Sequence, residues 1–311
     1  KITNWPLLKQ SSTMTKALMN QKTLVFGKNP SHISVQQSTQ EIPKLTNKRS
    51  VLVKVHAVGL NPVDAKLVVG DKIPSTWKRT RSLFHSLAVH NTPIGFDFAG
   101  TVQQSFCSDY KPGDEVYGSV PPLYGTLREY VVAPIHQISH KPSSLSWSEA
   151  AAMPLVGLTA LQALKPHASD TILVLGASSG TGHIALQVAQ RLGFSTRIAV
   201  CSKRNLEWVR QHCRPTHIID YTTEDVVASV QSILSTGGKQ LDVVFDCVTS
   251  EDPRDMTANY PAMFVDQCQE RYIRLGGQLG DWVRAGFERS GRLTCFGKEK
   301  LFWIRFPHSS G

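Results

Sequence analysis

The 311-residue sequence has no apolar run approaching the ~18 residues that a membrane-spanning helix needs, so no such helix is expected. It has no CxxC pair either: Cys107, Cys201, Cys213, Cys247, Cys268 and Cys295 lie far apart. That spacing excludes a structural site of four clustered cysteines. A chain of this length needs no disulfide staples, so the thiols read as reduced and the protein as intracellular. Acid is missing from the start of the chain. No Asp or Glu precedes Glu41, whereas five lysines and many Ser, Thr and Gln residues do. Scarce acid marks organelle transit segments, but the arginine such segments favour is absent there too. Mitochondrion, plastid and cytoplasm all stay open.

What is present begins with charge. The formal net charge is +10. Nucleic acid is one partner that such a balance attracts. The basic residues are dispersed, however, with their densest group in "WKRTRSLFHSLAVH", Trp77 to His90, and no base-stacking or zinc-finger motif accompanies them. No nucleic-acid partner is expected; an anionic cofactor or acyl carrier suits this surface better.

The first half reads as β-rich. "SVLVKVHAVGL" ends at the turn Asn61 and Pro62, "FDFAGTVQQ" and "LREYVVAPIHQISH" are further strand candidates, and Pro112, Gly113 and Asp114 mark a turn. "SWSEAAAMPLVGLTALQAL" is expected as one helix, capped by Ser146 or Ser148 with Glu149 in its first turn. Strands and helices then alternate. Strands are expected at Thr171–Leu175, Arg197–Cys201, His217–Asp220, Leu241–Asp246, Arg271–Leu275 and Arg292–Phe296, and helices at Ser179–Leu192, Asn205–His212 and Glu224–Leu234. Such alternation predicts an α/β fold with a doubly wound parallel sheet.

"GASSGTG", Gly176 to Gly182, sits where the first of these strands feeds its helix. Small residues let a backbone approach a pyrophosphate, and the helix N-terminus supplies N–H groups and partial positive charge. The spacing departs from strict GxGxxG, and a close-packed corner without a ligand is the plain alternative. At the end of the second strand, a dinucleotide-binding unit that takes NAD carries a carboxylate for the ribose 2′-OH. Here Ser202, Lys203 and Arg204 stand instead. A hydroxyl and cations suit a 2′-phosphate, so NADPH is the expected cofactor, with Ser202 and Lys203 as its first contacts. The glycine turn also suggests short-chain dehydrogenases, but no tyrosine is followed four positions later by the lysine those enzymes use.

The ordered run of "VHAVGLNPVDAK", "GFDFAG", "KPGDEVYG", "GTLREYVV", "AAAMPLVGLTAL", "LGASSGTGHIALQVA", "IIDY" and "VVFDCV" resembles the medium-chain dehydrogenase/reductase superfamily, in its quinone-oxidoreductase-like and enoyl-reductase branch. The resemblance implies a GroES-like catalytic domain followed by a Rossmann domain. We place a tail at 1–22, as part of a targeting segment in one reading, the GroES-like domain at 23–145 and the NADPH-binding Rossmann domain at 146–311. The family's chain returns to its first domain at the C-terminus, and that return is expected to be missing here.

Matching residue by residue, the catalytic zinc slots of the alcohol-dehydrogenase branch fall on Asn61, on Phe96 and near Leu155, and only Cys107 lies in the structural-zinc region. Zinc needs thiolate, imidazole or carboxylate ligands, so no metal is expected. A conjugated acceptor suits a zinc-less enzyme, because hydride enters at the β-carbon and charge collects on an oxygen that hydrogen-bond donors can hold. The resemblance implies Lys66 and Asn61 as catalytic residues. It puts Ser178, Ser179, Gly180, Thr181 and Gly182 at the phosphates, Thr159 toward the nicotinamide, Tyr221 by the adenosine, and Cys247 and Val248 along the ribose. It also implies a homodimer. The expected function is a zinc-independent, NADPH-dependent reductase of a small-molecule quinone, enone or enoyl group. The alternative is an NADPH-binding protein with little catalysis, serving as a structural or interaction partner.

Overall fold

The computed structural model describes residues 20–26, 35–64, 93–121, 124–165, 170–248, 256–275 and 299–301. The described residues up to Pro154 form one compact unit, and those from Leu155 onward form another.

The first unit is antiparallel. Strands β1 (Asn20–Phe26) and β2 (Val35–Glu41) pair with each other from Asn20↔Glu41 to Phe26↔Val35. Neither was expected, since both are dominated by polar residues without apolar alternation. Five more strands form a second sheet in the order β6-β3-β4-β5-β7. These are β3 (Ser50–Gly59), β4 (Asp97–Ser105), β5 (Glu115–Ser119), β6 (Tyr130–Pro134) and β7 (Ile138–His140). Alternating side chains bury Val51, Val53, Phe98, Val102, Val116 and Val131 on one face. The stretch expected as one strand from Leu127 to His140 is two, parted by a 3₁₀ turn at Ile135–Gln137.

Helix α1 (Trp147–Ala152) begins at a reciprocal cap. Ser146 Oγ accepts from the Glu149 N–H at 3.3 Å, and the Glu149 carboxylate accepts from the Ser146 N–H at 2.8 Å. Its Ala150 and Ala151 pack on Ala99 of the sheet. The expected single helix is broken here: α2 (Pro154–Leu164) is separate. Pro154 has no N–H to give to the preceding turn and its ring crowds that turn, so the first helix stops.

The second unit is built on β8 (Thr171–Leu175), β9 (Thr196–Cys201), β10 (His217–Asp220), β11 (Leu241–Asp246), β12 (Cys268–Arg274) and β13 (Glu299–Leu301). All neighbours are parallel, in the order β10-β9-β8-β11-β12-β13. Relative to the first strand this is 3-2-1-4-5-6, the doubly wound order. The strand expected at Arg292–Phe296 lies outside the described residues. Helices α3 (Gly180–Leu192), α4 (Leu206–Cys213), α5 (Val226–Gly237) and α6 (Tyr260–Phe264) complete the unit. All five residues of β8 are buried. A parallel strand covered on both faces must be continuously apolar, and each of Ile172, Leu173, Val174 and Leu175 contributes about 1.5–3 kcal/mol by burial.

Candidate cofactor site and catalytic residues

In the parallel sheet the strand order reverses between β8 and β11. Loops leaving the carboxyl ends of two such strands diverge and open a crevice. The loop after β8 is the glycine turn, and the loop after β11 carries Cys247 and Val248. The two loops touch. Gly176 has φ +80°, and a Cβ there would lie 2.3 Å from Val248 Cγ1 and 3.4 Å from Cys247 Cβ. A Cβ on Gly182 would lie 2.2 Å from the Gly176 carbonyl oxygen. These two glycines are therefore demanded by the fold. Gly180 is not: its Cβ would meet only Val156 Cγ1, at 3.7 Å, and the residue is exposed. What Gly180 leaves open is room for something that is not protein.

Ser179 caps α3. Its Oγ accepts from the Gly182 N–H at 3.0 Å, and its carbonyl accepts from the His183 N–H at 3.1 Å. By helix geometry the amides of Gly180 and Thr181 have no intrahelical acceptor, so they, with the positive end of the helix, are left to an anion. A dinucleotide pyrophosphate fits this cradle. Thr159 lies in α2, one turn along from the Val156 that borders Gly180. Cys247 donates its N–H to the Leu175 carbonyl at 3.1 Å. Burial pushes the Cys247 thiol up to about 12; a hydrogen bond with Ser179 opposes that and the Asp246 charge adds to it. The thiol therefore stays protonated at neutral pH and is no nucleophile.

The turn after β9 begins at half-buried Ser202 and continues through exposed Lys203 and Arg204 as a single 3₁₀ turn. Its neighbours bear on it from two sides. Asn205 Nδ2 donates to Ser178 Oγ at 2.9 Å and to Ser202 Oγ at 3.3 Å, which links this turn to the glycine turn. Asp220 is buried at the end of β10, where the nearby Lys203 backbone N–H favours its charged form. Hydrogen bonds, led by that from the Thr222 hydroxyl, hold the Asp220 carboxyl below its ordinary range against the effect of burial. Tyr221 follows Asp220, is 45% exposed, and donates its N–H to the Cys201 carbonyl at 3.3 Å. The second unit thus brings together Ser178, Ser179, Gly180, Thr181, Gly182, Cys247 and Val248 around one turn, with Ser202, Lys203 and Tyr221 beside it.

Sequence reasoning missed three supports in this unit. Asn205 was read only as a helix start. Asp220 lay inside an "IIDY" match that drew attention to its tyrosine. Asp246 is wholly buried, accepts from the Val248 N–H at 2.8 Å and from Tyr272 Oη at 2.5 Å, and so braces the Cys247 loop. A carboxylate closing an apolar strand was the available signal, since burial of such a charge needs donors.

In the first unit, Asn61 follows β3. Its backbone N–H donates to Asp64 Oδ2 at 2.7 Å, and its Nδ2 donates to Asp97 Oδ2 at 3.0 Å. Asp97 is fully buried and Asp64 nearly so. Burial raises the Asp64 carboxyl above its ordinary range; backbone N–H groups of Asn61 and Gly95 pull the other way. Asn61 is thereby held by both its backbone and its side chain. Asp97 was not singled out from the sequence. Phe96, in the second zinc slot, is buried, and Leu155 marks the third. Among the described residues no three of His, Cys, Asp and Glu converge on one point. Lys66 and the basic stretch Trp77 to His90 lie outside the described residues.

A 3-2-1-4-5-6 parallel sheet with a glycine turn at its switch point, carried with an antiparallel β-rich unit, defines a two-unit protein of the doubly wound class. Comparison with known proteins narrows the class. Residues 47–143 match the alcohol dehydrogenase GroES-like domain. Over 238 residues the chain is 34% identical to the mitochondrial NAD(P)H oxidoreductase RTN4IP1 of Mus musculus, covering 72% of this chain and 57% of that protein. Over 196 residues it is 35% identical to the trans-enoyl reductase pgmF of Aspergillus terreus, covering 59% of this chain and 52% of that one. The chain thus spans about half the length of these curated relatives. Among solved structures, the quinone oxidoreductase of Coxiella burnetii superposes with a TM-score of 0.67 at 24% identity, over 93% of this chain and 84% of that one. Together these likenesses support a place in the medium-chain dehydrogenase/reductase superfamily.

Proposed function

We propose that this chain is a zinc-independent reductase that binds NADPH and directs hydride to a conjugated acceptor: a quinone, an enone or an enoyl group. The observation that carries the reading is the pairing, in one unit, of a glycine turn at the sheet's switch point with a serine–lysine turn where an NAD-binding unit would carry acid. The names of the relatives, an NAD(P)H oxidoreductase and a trans-enoyl reductase, support it.

NADPH supplies the hydride when bound. The chain's own residues do the rest. The amides of Gly180 and Thr181 hold the pyrophosphate, Ser202 and Lys203 hold the 2′-phosphate with charge-assisted hydrogen bonds, and Cys247 and Val248 wall the ribose. Thr159 faces the nicotinamide side and Tyr221 the adenosine. Asn61 is fixed by Asp64 and Asp97 with its amide ready to orient an acceptor oxygen. Lys66 places an ammonium by the oxygen on which charge collects and is the proton donor to the product. No helix among the described residues is long and apolar enough to cross a membrane. The mitochondrion is added to the reading by the mouse relative's name, and a homodimer by the family resemblance alone; cell fractionation and sedimentation test those two points.

The deciding experiment is a panel of enals, enones, enoyl thioesters and quinones, each tested for oxidation of NADPH and of NADH. Turnover of a conjugated acceptor, with NADPH preferred on the order of 100-fold, is expected, as one or two phosphate contacts of ~1.5–3 kcal/mol each suffice. Cofactor binding with no turnover on any acceptor would leave a binding protein instead. Lys66→Ala should cut turnover on the order of 10²-fold while leaving NADPH affinity nearly intact.

A further inference from the structure

We propose that Asn205 points two serine hydroxyls, on two separate loops, at the phosphate groups of the cofactor, and is thereby a positioning residue for the choice of NADPH over NADH; this rests on the NADPH reading above. Asn205 occupies the residue before α4. There an Asn side chain ordinarily accepts from a backbone N–H of the first helical turn. Ser179 and Asp225 do so before α3 and α5, but Asn205 does not. Its backbone is already helical, at φ −108° and ψ −3°, because it ends the 3₁₀ turn that runs into α4, so its amide is left to reach other partners.

Both bonds it makes instead use Nδ2, to Ser178 Oγ at 2.9 Å and to Ser202 Oγ at 3.3 Å. Its backbone N–H also donates to the Ser202 carbonyl at 2.8 Å, which fixes its reach to that serine. A hydroxyl has one proton to give and lone pairs to receive. Each serine receives from Asn205, so each keeps its proton for another acceptor. Among the described residues neither hydroxyl has a protein acceptor. Ser178 belongs to the glycine turn and Ser202 to the basic turn, the two places where a dinucleotide phosphate would supply one. NADH lacks the group that Ser202 would face. Asn205 should therefore act on NADPH through both serines and on NADH through Ser178 alone.

The test is calorimetric titration of NADPH and of NADH, without any acceptor, into the protein, Asn205→Ala, Ser202→Ala and the double variant. Asn205→Ala is expected to weaken NADPH on the order of tenfold and NADH by about threefold. Ser202→Ala should weaken NADPH clearly in the original background and little further on top of Asn205→Ala, while leaving NADH unmoved in both. Additive losses for NADPH, or equal losses for the two cofactors, would overturn the proposal. Thermal melts accompany each titration. If Asn205→Ala melts early, Asn205→Ser puts a polar side chain back at this turn without the forked amide. Restored stability with a weakened NADPH preference supports the proposal, and restored stability with a full preference overturns it. An unmutated protein that prefers neither cofactor defeats the NADPH reading itself, and this inference with it, before any variant is made. A preserved preference with unchanged variants defeats this inference alone.

Discussion

The two sheets hold their candidate functional groups by opposite means. In the parallel sheet those groups sit in loops beyond the strand ends, and what fixes them is the backbone: glycines that leave no space for a side chain, and a capped helix. In the antiparallel sheet Asn61, Asp64 and Asp97 form a polar knot inside the unit, drawn from β4 and the turn after β3, and what fixes them is mutual hydrogen bonding. One region depends on shape at the surface, the other on hydrogen bonds in the interior. They should fail differently when altered.

The largest effect is expected at Gly182. A methyl group there would sit 2.2 Å from the Gly176 carbonyl oxygen, a backbone atom that cannot swing aside. Gly182→Ala should cost about 3 kcal/mol or more, by the overpacking such clashes cause, and should abolish dinucleotide binding. Urea unfolding and cofactor titration measure both; a near-native midpoint would mean that the turn is not set by shape. Next comes the polar knot. Asp97→Ala removes the acceptor of the Asn61 amide and should cost ~1–3 kcal/mol, with cofactor affinity unchanged. A cofactor affinity that falls together with stability would erase the contrast between the regions.

Ser146→Ala probes an ordinary cap in the same unit as the knot. Loss of its reciprocal bonds with Glu149 should cost about 1 kcal/mol, read as a lower midpoint in the same unfolding curve. The smallest effect has the opposite sign. Gly180→Ala meets only Val156 at 3.7 Å and should stabilise the fold by ~0.5 kcal/mol through reduced freedom of the unfolded chain, yet weaken the cofactor by filling its space. If Gly180→Ala leaves cofactor affinity untouched, the open space at this residue has no ligand to serve.

The fold was legible where one rule governs a whole element. β8, β10 and β11 were bounded to the residue; for β8 the reason is that a strand buried on both faces reads as a continuous apolar run, and for β10 and β11 that a short apolar core closes on an aspartate. The glycine turn was legible too, since Gly176 and Gly182 answer steric demands that no other residue meets. β1 and β2 were invisible, because "NQKTLVF" and "VQQSTQE" carry little apolar alternation, and their pairing is known only from the partner strand. The break at Pro154 was available in the sequence and was outweighed by the helical run on both sides. The supports Asn205, Asp246 and Asp97 escaped for a common reason. Each acts on a residue from another part of the chain, as Asn61 and Asp97 do across 36 positions, and no local pattern encodes a partner so far away.

The strand order has a bearing on how the protein is made. β8 is the middle of its sheet but the first of its strands to be synthesised. It meets β9 soon, at Thr171↔Thr196, but its other edge waits for β11, whose Val243 pairs with Ile172. At ribosomal rates of about 5–20 residues per second that wait lasts roughly 4–14 s. For that interval a wholly apolar strand has one bare edge, the kind of surface to which other nascent chains add. The antiparallel sheet passes through a like interval, since β3 meets β4 first, at Val53↔Val102, and its other edge waits for β6, at Val53↔Val131. What sets the nucleotide-turn half apart is the strand left waiting: β8 is buried along its whole length in the finished sheet, whereas β3 carries exposed and half-buried residues among its buried ones.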